Sequence, residues 1–71
     1  MKGQDEAKLR ALLPHWIEHN GEHAAEFRAW AEKARAAGWP EAAEEIDTAA
    51  KELGWVNESL GAALEKLAGS A

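Results

Sequence analysis

The sequence predicts an all-α fold, an antiparallel hairpin of two helices that dimerises into a four-helix bundle. Alanine, glutamate and leucine dominate the composition, which favours helix throughout. A Gly-Trp-Pro turn signal at residues 38–40 divides the chain into two long segments, and both carry apolar residues at alternating steps of four and three. The 71 residues form one small domain, residues 1–71, near the lower limit for a single hydrophobic core.

The two helices are predicted from their end signals. The first runs over about residues 5–37, the turn occupies 38–39, and the second helix runs over about 40–68. Gly38 suits the left-handed position that ends a helix, and Pro40 suits the first turn of a new one.

Pro14 interrupts the first helix. Proline cannot donate the backbone hydrogen bond to Arg10, and its ring clashes with that turn. The sequence therefore predicts either a kink or a separate short helix over residues 5–13.

The apolar residues of each helix predict a core seam. On the first helix the series is Leu9, Leu13, Trp16, Asn20, His23, Phe27, Trp30 and Ala34; on the second it is Ile46, Ala50, Leu53, Asn57, Leu60, Leu64 and Leu67. If the chain folds back at Gly38, Asn20 and Asn57 lie at the same height. A buried asparagine pair there would set the register of the hairpin.

The apolar arc of the first helix spans about 140°, which is wide enough to contact two neighbouring helices. Ile17, Ala24 and Ala31 belong to this arc, and Trp55 points away from the seam of the second helix. We expect these four residues to form an interface with a second copy or with a helical partner protein.

Charge and composition exclude several classes of function. The formal net charge is −5 and the basic residues are scattered, so nucleic-acid binding is not expected. The apolar runs are too short to span a membrane, and the first ten residues resemble no signal peptide, so a cytoplasmic protein is expected. Because cysteine is absent, any metal would be bound by nitrogen and oxygen.

Residues 15–26, HWIEHNGEHAAE, contain His-x-x-Glu three times in succession. At about 100° per residue, His15 lies outside, His19 at the flank and His23 inside the core arc. Histidines four apart, with a carboxylate three residues later, can bind one divalent ion from adjacent turns. His19, His23 and Glu26 form this predicted face for Zn²⁺, Ni²⁺, Co²⁺ or Fe²⁺.

Other polar residues extend the predicted metal site. Asn20 and Asn57 are expected to orient the imidazoles through hydrogen bonds. The full set of candidate ligands is His15, His19, Glu22, His23, Glu26 and Glu58.

Residues 12–38 resemble a poorly characterised family of small helical proteins marked by His-Trp-x-x-His-Asn-x-x-His followed by Phe and Trp. The matching residues are His15, Trp16, His19, Asn20, His23, Phe27 and Trp30. The resemblance extends loosely through the second helix and implies an association with cobalt or nickel tetrapyrrole chelatases and metal uptake. It supplies no mechanism.

Three functions are compatible with the sequence. The first is a metal-handling accessory protein that is not an enzyme. The second is a metal-free interaction or oligomerisation module, in which the histidines and glutamates are solvated surface pairs or His23 is a hydrogen-bonded core residue. The third is acid-base catalysis, which has the least support because no nucleophile, phosphate loop or oxyanion feature accompanies the histidines.

Overall fold

The computed structural model describes residues 2–69, which form two antiparallel helices, α1 (Lys2–Ala36) and α2 (Pro40–Gly69). The Cα atoms extend over 52 × 14 × 14 Å with a radius of gyration of 16.2 Å. A compact chain of this length has a radius of gyration of about 11 Å. The molecule is therefore a rod, and most side chains lie at its surface.

The turn is a Schellman motif. The backbone N–H of Gly38 donates to the carbonyl of Arg35 at 3.1 Å, and the N–H of Trp39 donates to the carbonyl of Ala34 at 2.8 Å. Gly38 has a φ of 92°, which disfavours a residue with a β-carbon. The hydrogen bonds of α2 begin with the N–H of Ala43 donating to Trp39 at 3.0 Å.

α1 continues through Pro14 without dividing, so the alternative of a separate short helix over residues 5–13 is wrong. The helix begins at Lys2, several turns before the proline. Leu13, beside Pro14, is almost fully buried against α2. Tertiary packing of this kind can offset the lost backbone hydrogen bond.

The observed seam on α1 differs from the predicted one. Its side chains are Leu13, Ile17, Asn20, Ala24, Phe27, Ala31 and Ala34; the facing series on α2 is Ala43, Ile46, Ala50, Leu53, Asn57, Leu60, Leu64 and Leu67. Trp16, His23 and Trp30 were expected in the seam but are exposed. Small residues allow two helices to approach closely, whereas tryptophans would hold them apart.

Ala24 and Ala31 were expected to face a second chain, and this expectation is wrong. Ala31 is 0% exposed and Ala24 is 7% exposed within the single hairpin. Ile17 lies in the same line and is partly buried. Because α2 covers Ala24 and Ala31, these two side chains cannot contact another molecule in this arrangement.

Asn20 and Asn57 meet as the sequence predicts. The Asn20 amide Nδ2 donates to Asn57 Oδ1 at 3.1 Å, and Asn57 Nδ2 donates to the carbonyl of Ile17 at 3.0 Å. Both asparagines are partly buried. Their hydrogen bonds join the two helices near mid-length and favour one register.

Ion pairs mark one side of the hairpin, which we call the ion-pair side. Arg35 Nη2 lies 2.8 Å from Asp47 Oδ2, and Arg35 also contacts Glu32 at 3.2 Å. The hydrogen bond with Asp47 raises the pKa of Arg35 above its ordinary value. At the open end, Arg10 donates to the carbonyl of Leu67 at 2.8 Å, so side chains link the helices at both ends.

Within residues 2–69, neither helix has a stretch long and apolar enough to cross a membrane.

Candidate metal site

The three histidines form a ladder of rings along α1. The ring centroids of His15 and His19 are 6.0 Å apart, those of His19 and His23 are 4.5 Å apart, and His23 stacks on Phe27 at 6.0 Å. A step of four residues places consecutive rings on adjacent turns. The ladder is a direct consequence of the sequence spacing.

All three histidines are exposed, so the prediction that His23 lies inside the core is wrong. Its side chain is 47% exposed. The seam passes through the next residue, Ala24, and leaves His23 at the flank. The ring nitrogens are therefore accessible to ions from solvent.

His19 and His23 bring two ring nitrogens together, with 2.8 Å between their Nε2 atoms. Without a metal, one ring donates this hydrogen bond and the other accepts it. A metal bound to both nitrogens at about 2.0–2.1 Å would require a nitrogen separation of about 2.9 Å for a right angle, or about 3.3 Å for a tetrahedral angle. The observed separation is close to the right-angle value, so a small movement of the rings would admit an ion.

Glu26 lies at the other ring nitrogen of His23. Its Oε1 is 3.6 Å from His23 Nδ1, and its side chain is exposed. A shortening of this contact to hydrogen-bond distance would let the carboxylate orient the ring, as in carboxylate–histidine–metal arrangements. The geometry thus suits Glu26 to a supporting role, although the sequence pattern predicts a ligand.

The larger ligand set does not assemble in one chain. Among residues 2–69, no three or more histidine, aspartate or glutamate side chains are grouped so that they could hold one ion. Glu58 follows the seam residue Asn57, and its helical position falls on the ion-pair side, away from His23. His15 and Glu22 are exposed on α1 without completing a cluster.

The two asparagines do not orient the imidazoles as predicted. The Asn20 amide donates across the seam to Asn57, and the Asn57 amide donates to the backbone of α1. They stabilise the pairing of the two helices and bear on the histidines only by setting the position of α1.

An exposed apolar line runs through the histidine pair. It consists of Leu9, Trp16, His23 and Trp30, spaced by seven residues, and we call it the aromatic strip. Trp16 is 40% and Trp30 is 56% exposed. The Nζ of Lys33 lies 4.2 Å from the ring centroid of Trp30.

The aromatic strip lies opposite the ion-pair side. In an antiparallel pair of helices, like flanks of the two seams face each other. Arg35 and Asp47 occupy one pair of flanks, so the strip shares the other with Val56, which is also exposed. Two features of the sequence indicate this arrangement. The residues of the strip are spaced by seven, and the small or aliphatic residues that follow three of them, Ile17, Ala24 and Ala31, have the same spacing.

The fold therefore defines the class of protein as a two-helix antiparallel hairpin with an exposed histidine pair. The chain belongs to a family of domains of unknown function, DUF8180, whose sequence profile matches residues 9–67. The match covers the seam, the histidine ladder and most of α2. Comparisons with curated proteins and with solved structures gave no match.

Proposed function

We propose that this protein binds a divalent transition metal ion through His19 and His23 and acts as an accessory metal-handling protein, not as an enzyme. The observation that carries the proposal is the 2.8 Å separation of the two Nε2 atoms. Imidazole nitrogen suits Zn²⁺, Ni²⁺, Co²⁺ and Fe²⁺. The 2.8 Å separation is that of a hydrogen bond without metal, and opening it by a few tenths of an ångström would admit any of these ions.

Exposure of the site supports handling of a metal over its permanent storage. Both ligands lie at the surface of one helix, and Glu26 supports His23 from the solvent side. A site with two protein ligands leaves coordination positions open to water or to another protein. Such an ion can be received and transferred without unfolding of the chain.

The resemblance of the His-Trp-x-x-His-Asn-x-x-His stretch supplies a context for this proposal. It implies work beside cobalt or nickel tetrapyrrole chelatases or metal-uptake systems, and a cytoplasmic location remains the expectation. Cobalt and nickel are the ions that this context would present.

Calorimetric titration of the full chain with Ni²⁺, Co²⁺ and Zn²⁺ tests the proposal. His23→Ala should abolish tight binding because it leaves one imidazole of the pair, whereas His15→Ala, one turn away, should leave the affinity unchanged. Glu26→Gln should weaken binding by about tenfold if the carboxylate supports the ring. Absence of binding tighter than millimolar for every ion would overturn the proposal, as would equal effects of the two alanine variants.

A second candidate function is a metal-free interaction module that forms a homodimeric four-helix bundle or binds a helical partner protein. The observation that favours it is the exposure of large aromatic side chains on both helices, including Trp55 at 59%. Trp55 lies on the outer face of α2, away from the seam, and could contact a partner helix.

Sedimentation over a range of micromolar concentrations distinguishes this module from the metal-handling protein. A dimer whose melting temperature is unaffected by a chelator, and which is weakened by Trp30→Ala or Trp55→Ala, supports the module. A chain that sediments as a monomer at all concentrations, with or without either substitution, contradicts the homodimeric module.

A further inference from the structure

The hairpin exposes more surface than a compact chain of its size. Its accessible area is 5387 Å², against about 4,300 Å² expected for a folded monomer of 7.7 kDa. The excess of about 1,000 Å² is close to the ~800 Å² that each partner buries in a stable protein interface. Its most buried residues are four alanines and Leu13, so the single hairpin also has little core.

The aromatic strip is the part of this exposed surface that is best suited to be buried by a partner. From Leu9 to Trp30 it runs about 31 Å along α1, at about 1.5 Å per residue. Its members carry no fixed charge, and Val56 adds apolar area on the neighbouring flank of α2. Aromatic residues are enriched in the buried centre of an interface, and Lys33 and Glu26, which lie beside Trp30 and His23, would occupy its polar rim.

His23 occupies the centre of this surface. Trp16 and Trp30 each lie seven residues from it, about 10.5 Å along the helix in opposite directions. A two-fold axis that passes beside His23 would therefore place a tryptophan on each side of the axis in both chains. An isologous interface of this kind pairs each residue with its symmetry mate's counterpart.

The histidine pair is incomplete in one chain. It offers two ring nitrogens, and no third histidine or carboxylate of residues 2–69 joins them. A two-fold axis at this point would bring the partner's His19 and the partner's His23 to the same ion. Each chain carries a formal net charge of −5, so a divalent cation in the interface also reduces the repulsion between the two copies.

We infer that a second copy of this chain covers the aromatic strip and that one divalent ion on the two-fold axis is held by four imidazoles, two from each chain. This inference rests on the proposed metal-binding function and adds that the site is shared. Four imidazoles around one ion suit Ni²⁺, Co²⁺ or Zn²⁺, and Ni²⁺ is the probe in the test of this site. Metal binding and dimerisation are then one equilibrium.

Ni²⁺ titration combined with sedimentation of the full chain tests the inference. We expect one Ni²⁺ per two chains, and a dimer dissociation constant that falls about 100-fold with saturating Ni²⁺ and recovers on addition of a chelator. Trp30→Ala keeps both ligands and should weaken Ni²⁺-dependent dimerisation at least tenfold. Trp55→Ala, on the outer face of α2, is the matched control and should have no effect.

The failures of the two proposals differ. One Ni²⁺ bound per monomeric chain overturns the shared site and leaves the metal-binding function in place. Absence of binding tighter than millimolar for Ni²⁺, Co²⁺ and Zn²⁺ alike overturns both. Stoichiometry and mass are measured on the unaltered chain, so these outcomes do not depend on the folding of a variant. Trp16→Ala provides a second test of the strip and should weaken dimerisation as Trp30→Ala does.

Discussion

Two lines of residues run side by side along α1, and one is buried against α2 while the other is exposed. Ile17, Ala24 and Ala31 lie in the seam, while the residues immediately before them, Trp16, His23 and Trp30, lie outside. The outer line is larger and contains the aromatic side chains, yet the smaller line is buried. Side-chain size, which sets how closely two helices approach, decides the face of α1 that packs against α2.

The two lines of residues also differ in their chemistry. The seam line contributes packing, and its register is set by the asparagine pair beside it. The outer line presents a metal-binding side chain between two tryptophans to solvent. Placement of the alanines inward therefore exposes His23 to ions and to other chains.

The largest expected effect comes from filling the seam. Ala31→Leu inserts a branched side chain where Ala31 is 0% exposed, and overpacking should lower the free energy of unfolding by about 2–3 kcal/mol. Ala29→Leu, at an exposed position of the same helix, should change it by less than about 0.5 kcal/mol. Urea unfolding at a fixed protein concentration measures both. Equal effects would show that Ala31 is not in the seam.

The next effect concerns the asparagine pair that sets the register. Asn20→Ala leaves Asn57 Oδ1 without its donor, while Asn57 Nδ2 keeps the carbonyl of Ile17, and should cost about 1–2 kcal/mol of unfolding free energy. Leucine at both positions should restore most of the loss, because no polar group is then unpaired. Strictly additive losses in a double-mutant cycle would contradict a direct hydrogen bond between the two amides.

The turn gives a smaller effect. Gly38 has a positive φ, so Gly38→Ala should lower the free energy of unfolding by about 1 kcal/mol. Gly21 lies within α1, where an added β-carbon would meet no neighbouring atom within 4 Å. Gly21→Ala should therefore raise the free energy of unfolding by up to about 1 kcal/mol, because alanine favours helix more than glycine does. Thermal melts should therefore shift in opposite directions. A shift of the same sign would contradict the Schellman turn.

The smallest effect is expected on the ion-pair side. Asp47→Asn removes the exposed contact with Arg35, and such pairs contribute little because water and salt screen them. The raised pKa of Arg35 keeps the guanidinium charged, so its contribution is lost only when the pH rises through that elevated pKa, beyond the ordinary range.

Melting temperatures at low and high salt measure the Asp47→Asn effect. The salt dependence should be slightly smaller in Asp47→Asn than in Glu52→Gln, which changes the net charge equally at an exposed position of the same helix. Identical salt dependence in the two variants would show that the ion pair contributes nothing.

The candidate site was predictable only in part. The proximity of His19 and His23 follows from their spacing on one helix, because residues four apart lie on adjacent turns. The position of Glu26 at His23 Nδ1 depends on side-chain rotamers, which spacing does not specify. Glu58 fell on the other side of the hairpin because the direction of the seam on α2 depends on its contact with α1.

The sequence by itself determined the two helices, the turn at Gly38 and the meeting of Asn20 with Asn57. These follow from local backbone preferences and from the length of each arm, which act before any tertiary contact. Only the tertiary structure decided that Ala24, and not His23, faces α2. The buried face is set by how closely the two helices can approach each other. This distance depends on the side chains of both helices, so the pattern on one helix cannot predict it.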